Sequence, residues 1–91
     1  MNINNETFFT DNIAKLQWAC RRGMLELDVL LGNFLKEAYL NLSLQDKQYF
    51  VELLTYPDPE LFDTLLGRAV LADSNMARIT EIIRQHARSR I

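Results

Sequence analysis

Covalent catalysis in this 91-residue chain would have to start from Cys20 with His86 as its base, because each is the only residue of its kind. A thiol needs its base within hydrogen-bond reach, and these two lie far apart in the sequence with no spacing that brings them together. Cys20 falls in helical phase with Ile13 and Leu16, which predicts a small buried thiol. His86 falls on an apolar face close to the chain end, which predicts a packed or half-exposed ring. A metal site would have only carboxylates for its remaining ligands, and no calcium-loop spacing of acids occurs. Glu26 and Asp28 are two apart and do not stand side by side on a helix. No GxGxxG or GxxxxGK(S/T) cradle for a nucleotide is present. These patterns point away from an enzyme and toward a binding module.

The stretch Arg21-Arg22-Gly23-Met24-Leu25-Glu26-Leu27-Asp28 offers chemistry of another kind, with opposite charges on either side of a glycine. Glycine enters the left-handed region at little cost and is favoured just past a helix C-terminus. The stretch therefore reads as a junction between two helices. On that reading Arg21 and Arg22 occupy the last turn of the first helix, where the dipole favours cations. Glu26 occupies the first turn of the second, where it favours anions. Taking roughly 100° per residue, Met24, Leu27, Leu31, Phe34, Leu35 and Ala38 share one arc, and Glu26, Asn33 and Glu37 fall outside it. Glu26 is thus expected to face solvent. Two readings remain open at this level: a structural corner with well-placed charges, or a docking corner that presents Arg22 and Glu26 to a partner.

Trp18 breaks the pattern of the first helix. It lies about 140° around from Ile13 and near the phase of Arg22, four residues on. Its size favours a second core contact. The alternative is a partner-facing aromatic anchor beside an arginine.

The elements that must hold this corner all read as helix. Met1 to Phe9 form a loose lead-in, with Phe8 and Phe9 pinning its end. Thr10 or Asp11 caps the first helix, whose buried face is Ile13, Leu16 and Cys20. The second runs from about Met24 to Tyr39, with Gly32 off its apolar stripe, either permitting close packing or merely tolerated. Ser43 caps the third, with Asp46 at the capping-box position, and Tyr49, Phe50, Leu53 and Leu54 as its apolar face. That helix ends before Tyr56-Pro57. Asp58-Pro59-Glu60 starts the fourth as a capping acid, a proline and a second acid. Leu61, Phe62, Leu65 and Leu66 follow, and Gly67 closes it. Asp73 or Ser74 caps the fifth, with Met76, Ile79, Ile82, Ile83 and His86 on its inner face and a tail over 87–91 that frays. The expected fold is an all-α, compact five-helix bundle, a single domain over residues 1–91.

Bulk properties agree. A chain of this length folds alone with a modest margin, and 48% hydrophobic with 24% charged residues is ordinary globular composition. A net charge of −2 argues against a dedicated nucleic-acid binder. The balance is uneven, however, because Arg78, Arg84, Arg88 and Arg90 face only Glu81 in the last helix. A small helical regulator that binds nucleic acid through this helix is the alternative class. One cysteine excludes an internal disulfide. No secretory signal and no apolar run near ~20 residues is seen, so a cytoplasmic protein without membrane insertion is expected.

Trp18-Ala19-Cys20-Arg21-Arg22-Gly23-Met24-Leu25-Glu26-Leu27-Asp28 closely resembles the signature of the small SdhE (YgfY-like) family. Its RGxxE motif is matched by Arg22, Gly23 and Glu26, and Asp58-Pro59-Glu60-Leu61-Phe62 extends the likeness over nearly the whole chain. The family comprises flavinylation and assembly factors of succinate dehydrogenase. The resemblance implies a five-helix bundle that binds the flavoprotein subunit of succinate dehydrogenase, and often that of fumarate reductase. Binding promotes covalent attachment of FAD to a histidine of that subunit. It places Arg22, Gly23 and Glu26 in the docking surface, with Trp18, Arg21 and Asp28 nearby. FAD would be the partner's cofactor, with none bound tightly here. Some members of the family are also described as antitoxins acting against a toxin of cytoskeletal proteins.

Overall fold

The computed structural model describes residues 10–90, and Asn12 opens the first helix that lies wholly within them. Its side-chain oxygen accepts from the Lys15 amide at 3.0 Å, capping α1 (Ile13–Ala19). The expected cap at Thr10 or Asp11 is therefore corrected. Both residues are helical themselves, ahead of Asn12, and Thr10 is buried with its carbonyl accepting from the Tyr39 hydroxyl at 2.7 Å. The lead-in over residues 1–9, with Phe8 and Phe9, lies outside the described residues, as does residue 91.

Next come α2 (Leu25–Glu37), a 3-10 turn (Tyr39–Asn41), α3 (Leu44–Leu53), α4 (Asp58–Leu65) and α5 (Ser74–Ser89). Among the described residues there is no strand. Among the described residues the expected all-α arrangement of five helices forms. Ser43 caps α3 by accepting from the Asp46 amide at 3.1 Å. Asp73 caps α5 through the amides of Asn75 and Met76 at 2.8 and 3.1 Å. Gly67, at φ 81°, ends α4. The amides of Gly67 and Arg68 reach back to the carbonyls of Thr64 and Asp63, the bonding of a Schellman motif. The end of α5 is tied down: the helix continues through Ser89, and Arg90 grips Glu37 of α2 with two nitrogens at 2.8 and 2.9 Å.

α5 is the hub, packing against α2, α3 and α4, while α1 lies on α2. Leu16, Leu27, Leu31, Phe34, Phe50, Leu53, Leu61, Met76 and Ile79 are sealed in one core. Phe50 stands 5.4 Å from both Phe34 and Tyr39, centroid to centroid, and His86 and Phe34 form a T-shaped pair with centroids 5.5 Å apart. The apolar arc expected on α2 is the one it buries, with Met24 and Ala38 half-covered at its ends. On α4 the expected Leu66 is exposed, and Thr64 is buried in its place. Leu66, the C-cap, lies about 100° around the helix from Leu65, which turns it off the inner face.

Candidate functional site

The corner between α1 and α2 is built on backbone that leaves the helix early. α1 ends at Ala19, and Cys20 closes it in right-handed geometry. Arg21 and Arg22 are therefore beyond the helix, correcting the expectation that they occupy its last turn. Gly23 then turns the chain at φ 79°, and Met24 leads into α2, with Glu26 and Asp28 in its first turn. That glycine is where the turn needs positive φ. A Cβ added there would meet nothing within 4 Å among the described residues. The constraint at Gly23 is thus one of backbone conformation, and the space above it is open.

Arg22 is the centre of the corner, and it points inward. Its side chain is only 15% exposed. Nη1 donates to Asp58 Oδ1 at 3.3 Å, and Nη2 donates to the carbonyl of Leu54. Nε is buried and makes no hydrogen bond among the described residues. The backbone amide of Arg22 donates to Asp28 Oδ1 at 2.5 Å. One residue thereby joins the first turn of α2, the end of α3 and the start of α4. The expectation that Arg22 stands free in solvent is overturned. The physical reason is a leftover carbonyl where α3 ends and an acid one turn further on, which together satisfy two arms of the guanidinium.

Asp58 carries a matching correction. The residue expected as the capping acid of α4 is the first residue of that helix, with Pro57 at the cap position and no side-chain capping bond. Its carboxylate is turned toward Arg22 instead. Nothing in the local sequence marks this use, since a helix start accounts for an acid there without any distant partner.

The outer surface of the corner is formed by other residues. Glu26 is exposed, as expected, and makes no ion pair among the described residues. Arg21 and Gly23 are exposed, and Leu25 projects at 74% exposure. Trp18 is 75% exposed, so the core contact favoured from its size is corrected in favour of the outward-facing alternative. Its phase around α1, away from Ile13 and Leu16, decides the matter.

The two residues that could have supported covalent chemistry are otherwise engaged. Burial pushes the Cys20 thiol up to about 11, with Arg22 pulling it down and Asp28 pushing it up by lesser amounts. A protonated buried thiol is a poor nucleophile. His86 sets Nε2 3.0 Å from Glu37 Oε1 and packs on Phe34. Beside it a cavity of about 200 Å³ opens between α2 and α5, lined by Val29, Leu30, Asn33, His86, Ala87 and Arg90. That is below the roughly 300–1,000 Å³ of small-molecule sites. Among the described residues no group of His, Cys, Asp and Glu is placed to hold a metal ion. No helix among them is long and apolar enough to cross a membrane.

Comparisons with known proteins converge. A family model described as the flavinator of succinate dehydrogenase matches residues 14–87. A protein of Shewanella oneidensis named FAD assembly factor SdhE is 49% identical over 76 residues, spanning 84% of this chain and 93% of that protein. Its namesake in Colwellia psychrerythraea is 46% identical over 82 residues, 90% of each chain. Another, from Coxiella burnetii, is 45% identical over 71 residues, 78% of this chain and 87% of that one. The solution structure of a UPF0350 protein superposes with a TM-score of 0.71 at 34% identity, covering 98% of this chain and 89% of that one.

Proposed function

The chain belongs to the SdhE family of FAD assembly factors, and from that premise we propose that it binds the flavoprotein subunit of succinate dehydrogenase and promotes covalent attachment of FAD there. The flavoprotein of fumarate reductase is a second partner of the same kind. The observation that carries the reading is Glu26. It is an exposed carboxylate without an ion pair among the described residues, on the first turn of α2, directly after the left-handed turn at Gly23.

Trp18, Arg21, Gly23 and Glu26 form the outer face of the docking corner, and Arg22 and Asp28 hold it from beneath. A buried anchor network under an exposed rim suits a site that must keep its shape before the partner arrives. The flavin, the histidine that receives it and the redox chemistry are assigned to the partner. This chain is read as neither binding FAD tightly nor catalysing the attachment itself. It acts in the cytoplasm by holding the flavoprotein in an arrangement competent for the reaction, a shift in population toward that arrangement.

The test is co-expression of the flavoprotein subunit with wild-type protein or with Glu26→Ala, followed by in-gel fluorescence of covalent flavin and titration of the binding. Glu26→Ala is expected to keep its helical circular dichroism and to bind at least about tenfold more weakly, the loss of roughly 1.4 kcal/mol that marks an interface contact of consequence. Covalent flavin should fall with it. Unchanged affinity and unchanged flavin in this variant would remove the corner from the interface.

A further inference from the structure

We propose that Asp58 is a positioning residue of the docking corner, acting on it through Arg22; this rests on the reading of the corner as the docking site. Asp58 sits at the start of α4, 36 residues from Arg22 in sequence. Its type and place suit a helix cap, yet it makes no capping bond and pairs with Arg22 Nη1 at 3.3 Å. The second arm of the same guanidinium is held by the Leu54 carbonyl at the end of α3. Arg22 immediately precedes Gly23, the turn that aims Glu26. The direction in which Glu26 faces is therefore set by a strut whose far end is the α3–α4 connection.

This assigns Arg22 a role different from that of Glu26. A side chain 15% exposed, with two arms engaged inside its own chain, has little left to offer a visitor. Arg22 acts by fixing the corner, and Asp58 acts by fixing Arg22. The Asp58-Pro59-Glu60-Leu61-Phe62 segment then belongs to the docking machinery through its first residue, though that residue need not touch the partner.

A double-mutant cycle on binding to the isolated flavoprotein subunit tests this. Arg22→Ala and Asp58→Ala should each weaken binding by about tenfold, and the double variant should bind no more weakly than the poorer single, because both break one strut. Urea titrations run beside it separate this from loss of fold. A protein stable by several kcal/mol is almost wholly folded without urea, so a purely structural role leaves affinity unmoved. Asp58→Asn keeps an oxygen facing Nη1 and should recover most of the affinity. If Asp58→Ala does not fold, the cycle is run with Asp58→Asn, and its smaller loss must likewise vanish in the Arg22→Ala background. Wild-type affinity for Asp58→Ala beside a loss for Arg22→Ala would overturn the proposal and make Arg22 a direct contact. Losses that multiply in the double variant would overturn it as well. Glu26→Ala serves as the reference: if it too binds normally, the docking corner itself is at fault, whereas a loss there with none at Asp58 refutes only the strut.

Discussion

Gly23 separates two demands that a glycine can serve, backbone freedom and close approach. Its φ of 79° lies where L side chains are strained, and an added Cβ meets no neighbour within 4 Å among the described residues. Gly23→Ala should therefore destabilise the isolated protein by about 1–2 kcal/mol, the cost of a left-handed residue with a Cβ. Gly23→Asn should cost clearly less, because asparagine tolerates that region. Urea denaturation of the three proteins checks this, and equal midpoints for glycine and alanine would show that the turn carries no strain. At the scale of single residues the sequence was a partial guide. Exposure of Glu26 and burial of Cys20 followed from helical phase, and both occur. Trp18 set phase against size, and phase prevailed. The inward turn of Arg22 was not legible, because its partners are a backbone carbonyl and a carboxylate more than thirty positions away.

Elements were easier to read than their ends. Apolar spacing marked each of the five helices, and residue type named the cap at Ser43 and the stop at Gly67 and narrowed the last cap to Asp73 or Ser74, of which Asp73 is the one used. The start of α1 and the first residue of α4 were misplaced by one or two positions, since neighbouring polar residues compete for each cap. The tail of α5 shows what composition hides. A run of arginines at a chain end suggests fraying, but Arg90 and His86 both reach Glu37 across the gap to α2. The hydrogen bonds from Arg90, above all, hold the Glu37 carboxyl down to about 2, against an ordinary 4.5. A lowered carboxyl strengthens the folded state at pH values above its ordinary pKa. This contribution is thus complete above about 4.5, declines as pH falls through that range, and is gone below about 2. An NMR titration of the Glu37 side-chain carbon should show its midpoint near 2, moving up toward the ordinary value in Arg90→Ala. A wild-type midpoint near 4.5 would mean that the latch between α2 and α5 does not hold in solution.

Across the whole molecule the distribution of charge separates the docking reading from its rival. Four arginines in and after α5 gave the nucleic-acid hypothesis its footing, and the fold commits each of them. Arg78 pairs with Asp46 of α3, Arg84 and Arg88 with Glu81, and Arg90 with Glu37. Glu81 belongs to α5 itself and is already in the local count, but Asp46 and Glu37 come from other helices, so that count overstated the basic surface. Binding DNA would require these pairs to open, on a chain whose net charge is −2. Each phosphate contact contributes about −0.9 to the slope of log affinity against log salt. Four released arginines would give a slope near −4 by that rule. The expected result is weak or undetectable binding to duplex DNA at about 50 mM salt, with a slope shallower than about −2 if any binding is seen. Fluorescence anisotropy with a labelled duplex measures it. A slope near −4 would show that the last helix trades its internal partners for phosphates, and the docking corner would then share the molecule with a second, electrostatic surface.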